Sequence, residues 1–466
     1  MNRYKKLFSN TVILGLGTFG SKLLVFLLMP LYTAWLSTAE YSTAELITTT
    51  ANLLIPLACV GVSNAIFRFA AERDSDQRAV FSTSLALLGI GLGGFCILSP
   101  LLGLIDYLDG YTWLIVAYVL FANVQAVCAQ YIRAVDRTRL FAVQGILNTG
   151  LTILFNILFL AVWDMGVTGY VLSVVIGNIL TTLFVFFAAR LWRVFSVRAV
   201  SRRFMKELLR FGLPLIPTTV CWLITDLSDR YMVTYFCGAS VNGVYSAAYK
   251  IPTVVNLVSG IFLQAWQFSA VAESSDAKSC AKFYTEVFRG FLSVIFIGSS
   301  GLILLSGFLT SLLLNSAYHD AQIYMPTLLC AVALEALVSF LATVYMVRKK
   351  SMHSFLTAMV GALLNILLNL LLIPRIGARG AAIATAAAYG AVLAVRAVDV
   401  KRIIPFHLCL PRLCINIALL LGAAAVMTLS PVGKIWWTLA LTAAIVAVNA
   451  PTLFASLKRL LQHRKG

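Results

Sequence analysis

The sequence predicts an all-α polytopic membrane protein of 14 transmembrane helices, arranged as two pseudo-symmetric six-helix lobes plus two C-terminal helices. Three observations predict it: the composition, the lengths of the apolar runs, and a one-sided distribution of Lys and Arg. The chain has 466 residues, of which 60% are hydrophobic and 12% charged, and its mean hydropathy is +0.91. A soluble domain carries about a quarter charged residues and needs no such apolar excess. Lipid solvation of the outer helix faces accounts for it.

A span requires about 20 mostly apolar residues, more when tilted. Runs of that length lie near 9–36, 43–67, 80–105, 111–132, 141–163, 168–189, 211–235, 243–271, 287–314, 323–347, 354–373, 378–397, 409–429 and 434–456. Pro30, Pro56, Pro214, Pro217, Pro252 and Pro326 mark expected kinks or helix ends. The basic start MNRYKK resembles a secretory signal, but the apolar stretch behind it runs to Leu36. It is read as a retained first helix.

The chain holds 36 Lys and Arg against 18 Asp and Glu. The basic residues gather in alternate connectors: Arg68, Arg73 and Arg78, then Arg133, Arg137 and Arg139, then the stretch Arg190 to Arg210. Lys278 and Lys282, then Arg348 to Lys350, then Lys401 and Arg402, and finally Lys458, Arg459, Arg464 and Lys465 continue the series. The other connectors carry Glu40, Asp106, Asp109, Asp164 and Asp320, with only Arg375, Arg379 and Lys434 against the trend. An even number of spans with both termini cytoplasmic follows from the positive-inside rule. A multi-pass position in a membrane is expected.

An internal repeat groups the spans. EYSTAELI in the second aligns with VYSAAYKI in the eighth, pairing Tyr41, Ser42 and Ala44 with Tyr245, Ser246 and Ala248, and Asn52 with Asn256. Six helices separate the copies, so the repeats are parallel, related about the membrane normal. The expected domains are an N-terminal lobe over 1–190, a basic amphipathic connector over 191–210, a C-terminal lobe over 211–400, and helices 13 and 14 with a basic tail over 401–466. The connector mixes Leu191, Trp192, Phe195, Val197 and Phe204 with Arg, the pattern of a helix lying at the anionic inner interface.

Several function classes fall away. The basic excess is explained by topology, and no soluble nucleic-acid module accompanies it. The nine Cys lie almost all in apolar runs without CxxC spacing. They read as small core side chains. There is no Walker loop, HExxH or GxSxG, and the four His at 319, 353, 407 and 463 lack a metal-ligand spacing. No cofactor and no catalytic residue is expected.

What remains is a small set of ionisable residues inside apolar runs, where a charge is costly and normally faces protein or a watery cavity. Lys22 lies midway along the first run, about 20 Å from either end, with Gly15, Gly17 and Gly20 beside it. It is either paired with a buried acid or faces a transport cavity. Asp226, Asp229 and Arg230 form the densest cluster; Asp226 and Arg230 share a helix face and form either a structural bridge or a gate. Lys250 precedes Pro252 and is either interfacial or cavity-lining, while Glu45 holds nearly the equivalent place in the first repeat and is a partner for Lys250 or Arg230. Glu335 sits mid-run as an ion-coupling group or a hydrogen-bonded structural acid. Arg68, with Asn64 one turn earlier, is a headgroup-receiving pair or an ordinary topology anchor.

Over essentially its whole length the chain resembles the polysaccharide or oligosaccharide flippases of the multidrug, oligosaccharidyl-lipid and polysaccharide exporter superfamily. The resemblance rests on FGSKLLVFLLMPLYTAWLSTAEYSTAELI from Phe19, NLLIPLACVGVSNAIFRFAAE from Asn52, DRYMVTYFCGASVNGVYSAAYKIP from Asp229 and FLQAWQFSAVAES from Phe262. It implies two lobes around a central cavity. It also implies movement of an undecaprenyl-pyrophosphate-linked oligosaccharide repeat unit to the outer leaflet by alternating access, without covalent chemistry. Lys22, Arg230 and Lys250 are the positions for the pyrophosphate, with Arg68 and Asn64 at the entrance; Glu45, Asp226, Asp229 and Glu335 are gating or ion-coupling candidates. Coupling to the membrane potential or to a proton or cation gradient is expected, with membrane lipids, a polysaccharide polymerase and glycosyltransferases as partners and no nucleic acid. The alternatives are a lipid II flippase, a multidrug exporter of the same superfamily, and a non-transporting scaffold of a glycan synthesis complex.

Overall fold

The structure is a computed structural model and describes residues 28–70, 76–213, 216–272, 277–348, 350–429 and 433–463. All regular structure among them is helical. In order the helices are α1 (Met29–Trp35), α2 (Thr38–Ala58), α3 (Val62–Ala70), α4 (Gln77–Leu98), α5 (Thr112–Ala134), α6 (Thr138–Asn156), α7 (Gly166–Ala188), α8 (Arg202–Gly212) and α9 (Ile216–Cys237). There follow α10 (Ala239–Lys250), α11 (Thr253–Ala272), α12 (Ala277–Leu304), α13 (Ser306–Leu313), α14 (Ala321–Val347), α15 (Ser351–Ile376), α16 (Ala378–Ile403), α17 (Leu410–Leu429) and α18 (Lys434–His463).

Among the described residues ten helices are long and apolar enough to cross a membrane, or eleven spans when α10 and α11, bent by 40° at Ile251 and Pro252, count as one. The chain is thus an all-helical, multi-pass membrane protein. The expected count of 14 included a first run that lies mostly before residue 28, outside the described residues. The second and seventh runs are present as α2 and α9 yet fall outside the ten. Both are diluted by polar residues: α2 holds Glu40, Glu45 and a Thr48–Thr50 run, and α9 holds Asp226, Asp229 and Arg230. A helix that polar must turn its charges toward protein or water.

The chain divides into two compact units, Met1–Tyr231 and Met232–Gly466. In unit 1, α2 and α3 pack on α5, and α7 packs on α2, α5 and α6. In unit 2, α10 and α11 pack on α14, and α16 packs on α14 and α15, while α17 and α18 pack against α12. The repeated residues sit alike: Tyr41, Ser42, Ala44, Tyr245, Ser246 and Ala248 are all exposed by no more than 1%.

Local chemistry sets where α2 starts and stops. Ser37 Oγ accepts from the Glu40 amide at 3.3 Å while the Glu40 carboxylate accepts from the Ser37 amide at 2.9 Å, a capping box. At the other end Val60 and Gly61 take φ of 50° and 74°, and the helix restarts as α3. A Cβ on Gly61 would lie 2.5 Å from the backbone of Gly212, so only glycine lets α8 approach.

The connector corrects one expectation. The pattern over 191–210 predicts one amphipathic helix, but only Arg202–Gly212 is α-helical, behind two 3-10 turns at Leu191–Arg193 and Val197–Ala199. Its backbone is tied to hydroxyls of α4 instead: the Ser196 amide donates to Ser82 Oγ at 2.8 Å and the Ser201 amide to Thr83 Oγ1 at 3.1 Å. Ser201 then caps α8, and Phe204 and Phe211 meet Phe69 edge-on.

Candidate functional site

The polarity of α2 and α9 converges in unit 1. Glu45 and Thr49 are one helical turn apart on α2 and so share a face. Glu45 is 2% exposed. Arg230, near the end of unit 1 on α9, places Nη2 3.5 Å from Glu45 Oε2 and donates from Nη1 to Thr49 Oγ1. Next to it, Tyr231 and Thr50 share a hydroxyl hydrogen bond of 2.9 Å, fastening the same two helices a second time.

The other oxygen of Glu45 accepts from the Tyr170 hydroxyl of α7 at 3.1 Å. Tyr170 is held by aromatic contacts, edge-on to Tyr32 at 4.8 Å and to Tyr41 at 6.3 Å between ring centroids. The carboxylate is therefore held between a cation and a phenol. Burying an ion pair is tolerable only with such added hydrogen bonds. A tight charge-assisted bond is about 2.7–2.9 Å, so the 3.5 Å contact is a loose one. An anion offering two oxygens to the guanidinium can compete with it.

The remaining predicted residues are dispersed. Asp229, beside Arg230, is 3% exposed. Lys250 ends α10 at the bend, half-buried. Glu335 of α14 accepts from Asn256 Nδ2 of α11 at 2.9 Å, so it is hydrogen-bonded within unit 2. Arg68 is exposed in the last turn of α3, its guanidinium 4.8 Å above the Phe211 ring of α8. That contact joins it to the connector. Lys22 and the side chains of Asn64 and Asp226 lie outside the described residues.

One buried charge escaped the sequence reading. Arg396 of α16 is 1% exposed, the largest fully buried side chain among the described residues. It donates to Thr357 Oγ1 and Val338 O at 2.9 Å each and to Ser354 O at 3.3 Å, with its guanidinium 5.5 Å from the Tyr345 ring. One turn on, Asp399 lies 2.9 Å from His353 Nδ1. Arg396 stands one residue inside the end of its apolar run, where a long side chain normally snorkels to the interface. Nothing in the sequence there separates a buried arginine from a snorkelling one.

Among the described residues no three His, Cys, Asp or Glu side chains converge as a metal site. A family described as "Polysaccharide biosynthesis protein" matches residues 7–268, more than half of the chain. The chain belongs to that family. This family member shares its fold with solved transporters. It matches a lipid II flippase, MurJ, in an inward closed conformation, with a TM-score of 0.70 at 14% identity, covering 97% of this chain and 100% of that one. It also matches a multidrug resistance MATE family transporter of the MOP superfamily in an outward-facing conformation, with a TM-score of 0.64 at 16% identity over 85% and 95% of the two chains. A MOP superfamily transporter from Pyrococcus furiosus matches at 0.63 and 16%, over 84% and 96%. No curated protein matches the sequence.

Proposed function

We propose that this family member flips an undecaprenyl-pyrophosphate-linked oligosaccharide repeat unit from the inner to the outer leaflet of the bacterial cytoplasmic membrane by alternating access, supplying surface polysaccharide synthesis. The observation that carries the reading is the contact of a half-buried Arg230 with the buried Glu45 in a polysaccharide biosynthesis family member. A pyrophosphate cannot cross about 30 Å of hydrocarbon unaided. It needs a cation to meet, and a cation at that depth needs a counter-ion when the substrate is absent. Glu45 is that counter-ion, and Arg230 exchanges it for the pyrophosphate. The exchange gives the substrate a differential affinity for one state of the protein, which is what drives a conformational cycle.

No protein-bound cofactor enters the scheme; the membrane potential or an ion gradient biases the cycle, with Glu45 and Glu335 as the acids in reach of that role. Polymerase and glycosyltransferases are the partners such a substrate implies.

A second reading is favoured by one observation, the full-length match to the lipid II flippase. Lipid II presents the same pyrophosphate to Arg230, so the chemistry of the pair does not separate the two. Reconstitution in vesicles with fluorescent lipid-linked repeat units, lipid II and a cationic drug does. Flipping of the repeat units over the other two is expected. Flipping of lipid II alone, drug export alone or no transport of any of them would overturn the proposal.

A further inference from the structure

The basic end of unit 2 carries a cavity of its own. There α14 ends at Val347, α15 begins at Ser351 and α16 ends at Ile403. A cavity of about 550 Å³ opens between α15 and α16, with Leu356, Val395 and Val398 as its walls and His353, Asp399 and Arg402 at its rim. The walls are themselves outward-facing: Leu356 is 45%, Val395 42% and Val398 59% exposed. They are open to whatever solvates the helix surface, and in a membrane that is acyl chain.

The rim decides what heads the chain. Asp399 is the one acid there, and its carboxylate is engaged by His353 Nδ1 at 2.9 Å. Arg402 is exposed and makes no salt bridge among the described residues. At the same helix ends Arg348 and Lys350 of the α14–α15 connector and Lys401 of α16 are exposed, with Arg396 buried behind Thr357. These exposed charges are cationic, and at the rim itself Arg402 stands beside the Asp399–His353 pair. An apolar slot under a cationic rim is complementary to one molecule class at a membrane interface, a phosphate-bearing amphiphile.

We infer that this groove holds one anionic phospholipid of the surrounding leaflet, its phosphate on the Arg402 guanidinium and one acyl chain along Leu356, Val395 and Val398. The occupant is bulk lipid because the slot is built by α15 and α16 of a single unit and its walls are exposed along their length. Arg396 acts at a distance from the ligand: by fixing Thr357 and Ser354 it holds α15 against α16 and keeps the slot formed.

Native mass spectrometry of the full-length protein in detergent, titrated with phosphatidylglycerol, phosphatidylcholine or inorganic phosphate, tests the inference. One phosphatidylglycerol should be retained at concentrations where neither phosphatidylcholine nor phosphate binds. Arg402→Gln should weaken it about tenfold, the loss of a charge-assisted hydrogen bond. Leu356→Trp, at a lipid-facing position that leaves the fold intact, should weaken it by filling the slot. Equal retention of phosphatidylcholine, or unchanged binding in either variant, would overturn the site. Stoichiometric displacement by undecaprenyl phosphate would overturn the assignment to bulk lipid.

Discussion

Unit 1 and unit 2 each hold an arginine within a helix of a membrane protein, half-buried in unit 1 and fully buried in unit 2, and they satisfy it differently. Arg230 meets a carboxylate on another helix across a loose 3.5 Å contact, with a threonine hydroxyl beside it. Arg396 meets two backbone carbonyls and a hydroxyl, all from the helices packed on α16. Neutral acceptors fixed in a backbone cannot be exchanged without unfolding their helices. A carboxylate on a side chain can be. The difference separates a charge that holds the fold from a charge that can change partners.

The largest expected effect breaks the unit 2 side of this comparison. Arg396→Leu removes the donor that ties Val338 O, Ser354 O and Thr357 Oγ1 to α16 and should destabilise the protein by about 3 kcal/mol. Thermal unfolding followed by size-exclusion chromatography in detergent reads it, and Arg396→Lys should fail to restore stability because a point charge cannot span three acceptors in a plane. A fully stable Arg396→Leu protein would contradict the structural role.

A smaller effect is expected in unit 1. Glu45→Ala strips Arg230 and Tyr170 of a shared partner and should cost about 2 kcal/mol, whereas Glu45→Gln keeps a hydrogen-bond acceptor for Tyr170 and should cost about 1 kcal/mol. The same unfolding assay ranks them. If both matched Arg396→Leu in severity, the Glu45 pair would be as structural as the Arg396 network.

The smallest effect sharpens the comparison within unit 2. Asn256→Ala removes the 2.9 Å bond to a half-buried Glu335 and should change stability by about 1 kcal/mol or less. A large loss of transport in this variant at unchanged stability would place Glu335 beside Glu45 as a working acid.

Much of this architecture is legible in the sequence because lipid imposes length and polarity on every span. The apolar runs between 80 and 189 and between 323 and 429 are found as helices, since nothing but packing competes with them. Legibility fails where backbone polar groups have a local alternative. The connector looks amphipathic over 191–210, yet Ser82 and Thr83 capture its amides and only the last turns wind into α8. At the site, Glu45 and Arg230 are conspicuous because each interrupts an apolar run, but their partners are not. The sequence left Lys250 and Arg230 both open for Glu45, and gave no sign of Tyr170, an aromatic among apolar neighbours on α7. Arg396 was hidden by its place near a span end, where burial and snorkelling look identical in one dimension.

The central claim is that Arg230 and Glu45 act as one exchangeable pair in transport. Its most direct test is a double-mutant cycle of lipid-linked oligosaccharide flipping in vesicles, using Arg230→Gln, Glu45→Gln and both together. Arg230→Gln is expected to lower flipping about tenfold or more in a folded protein, and the double variant to be no worse than the single one, because residues acting as a unit are not additive. Wild-type flipping by Arg230→Gln, or fully additive losses in the double variant, would contradict it.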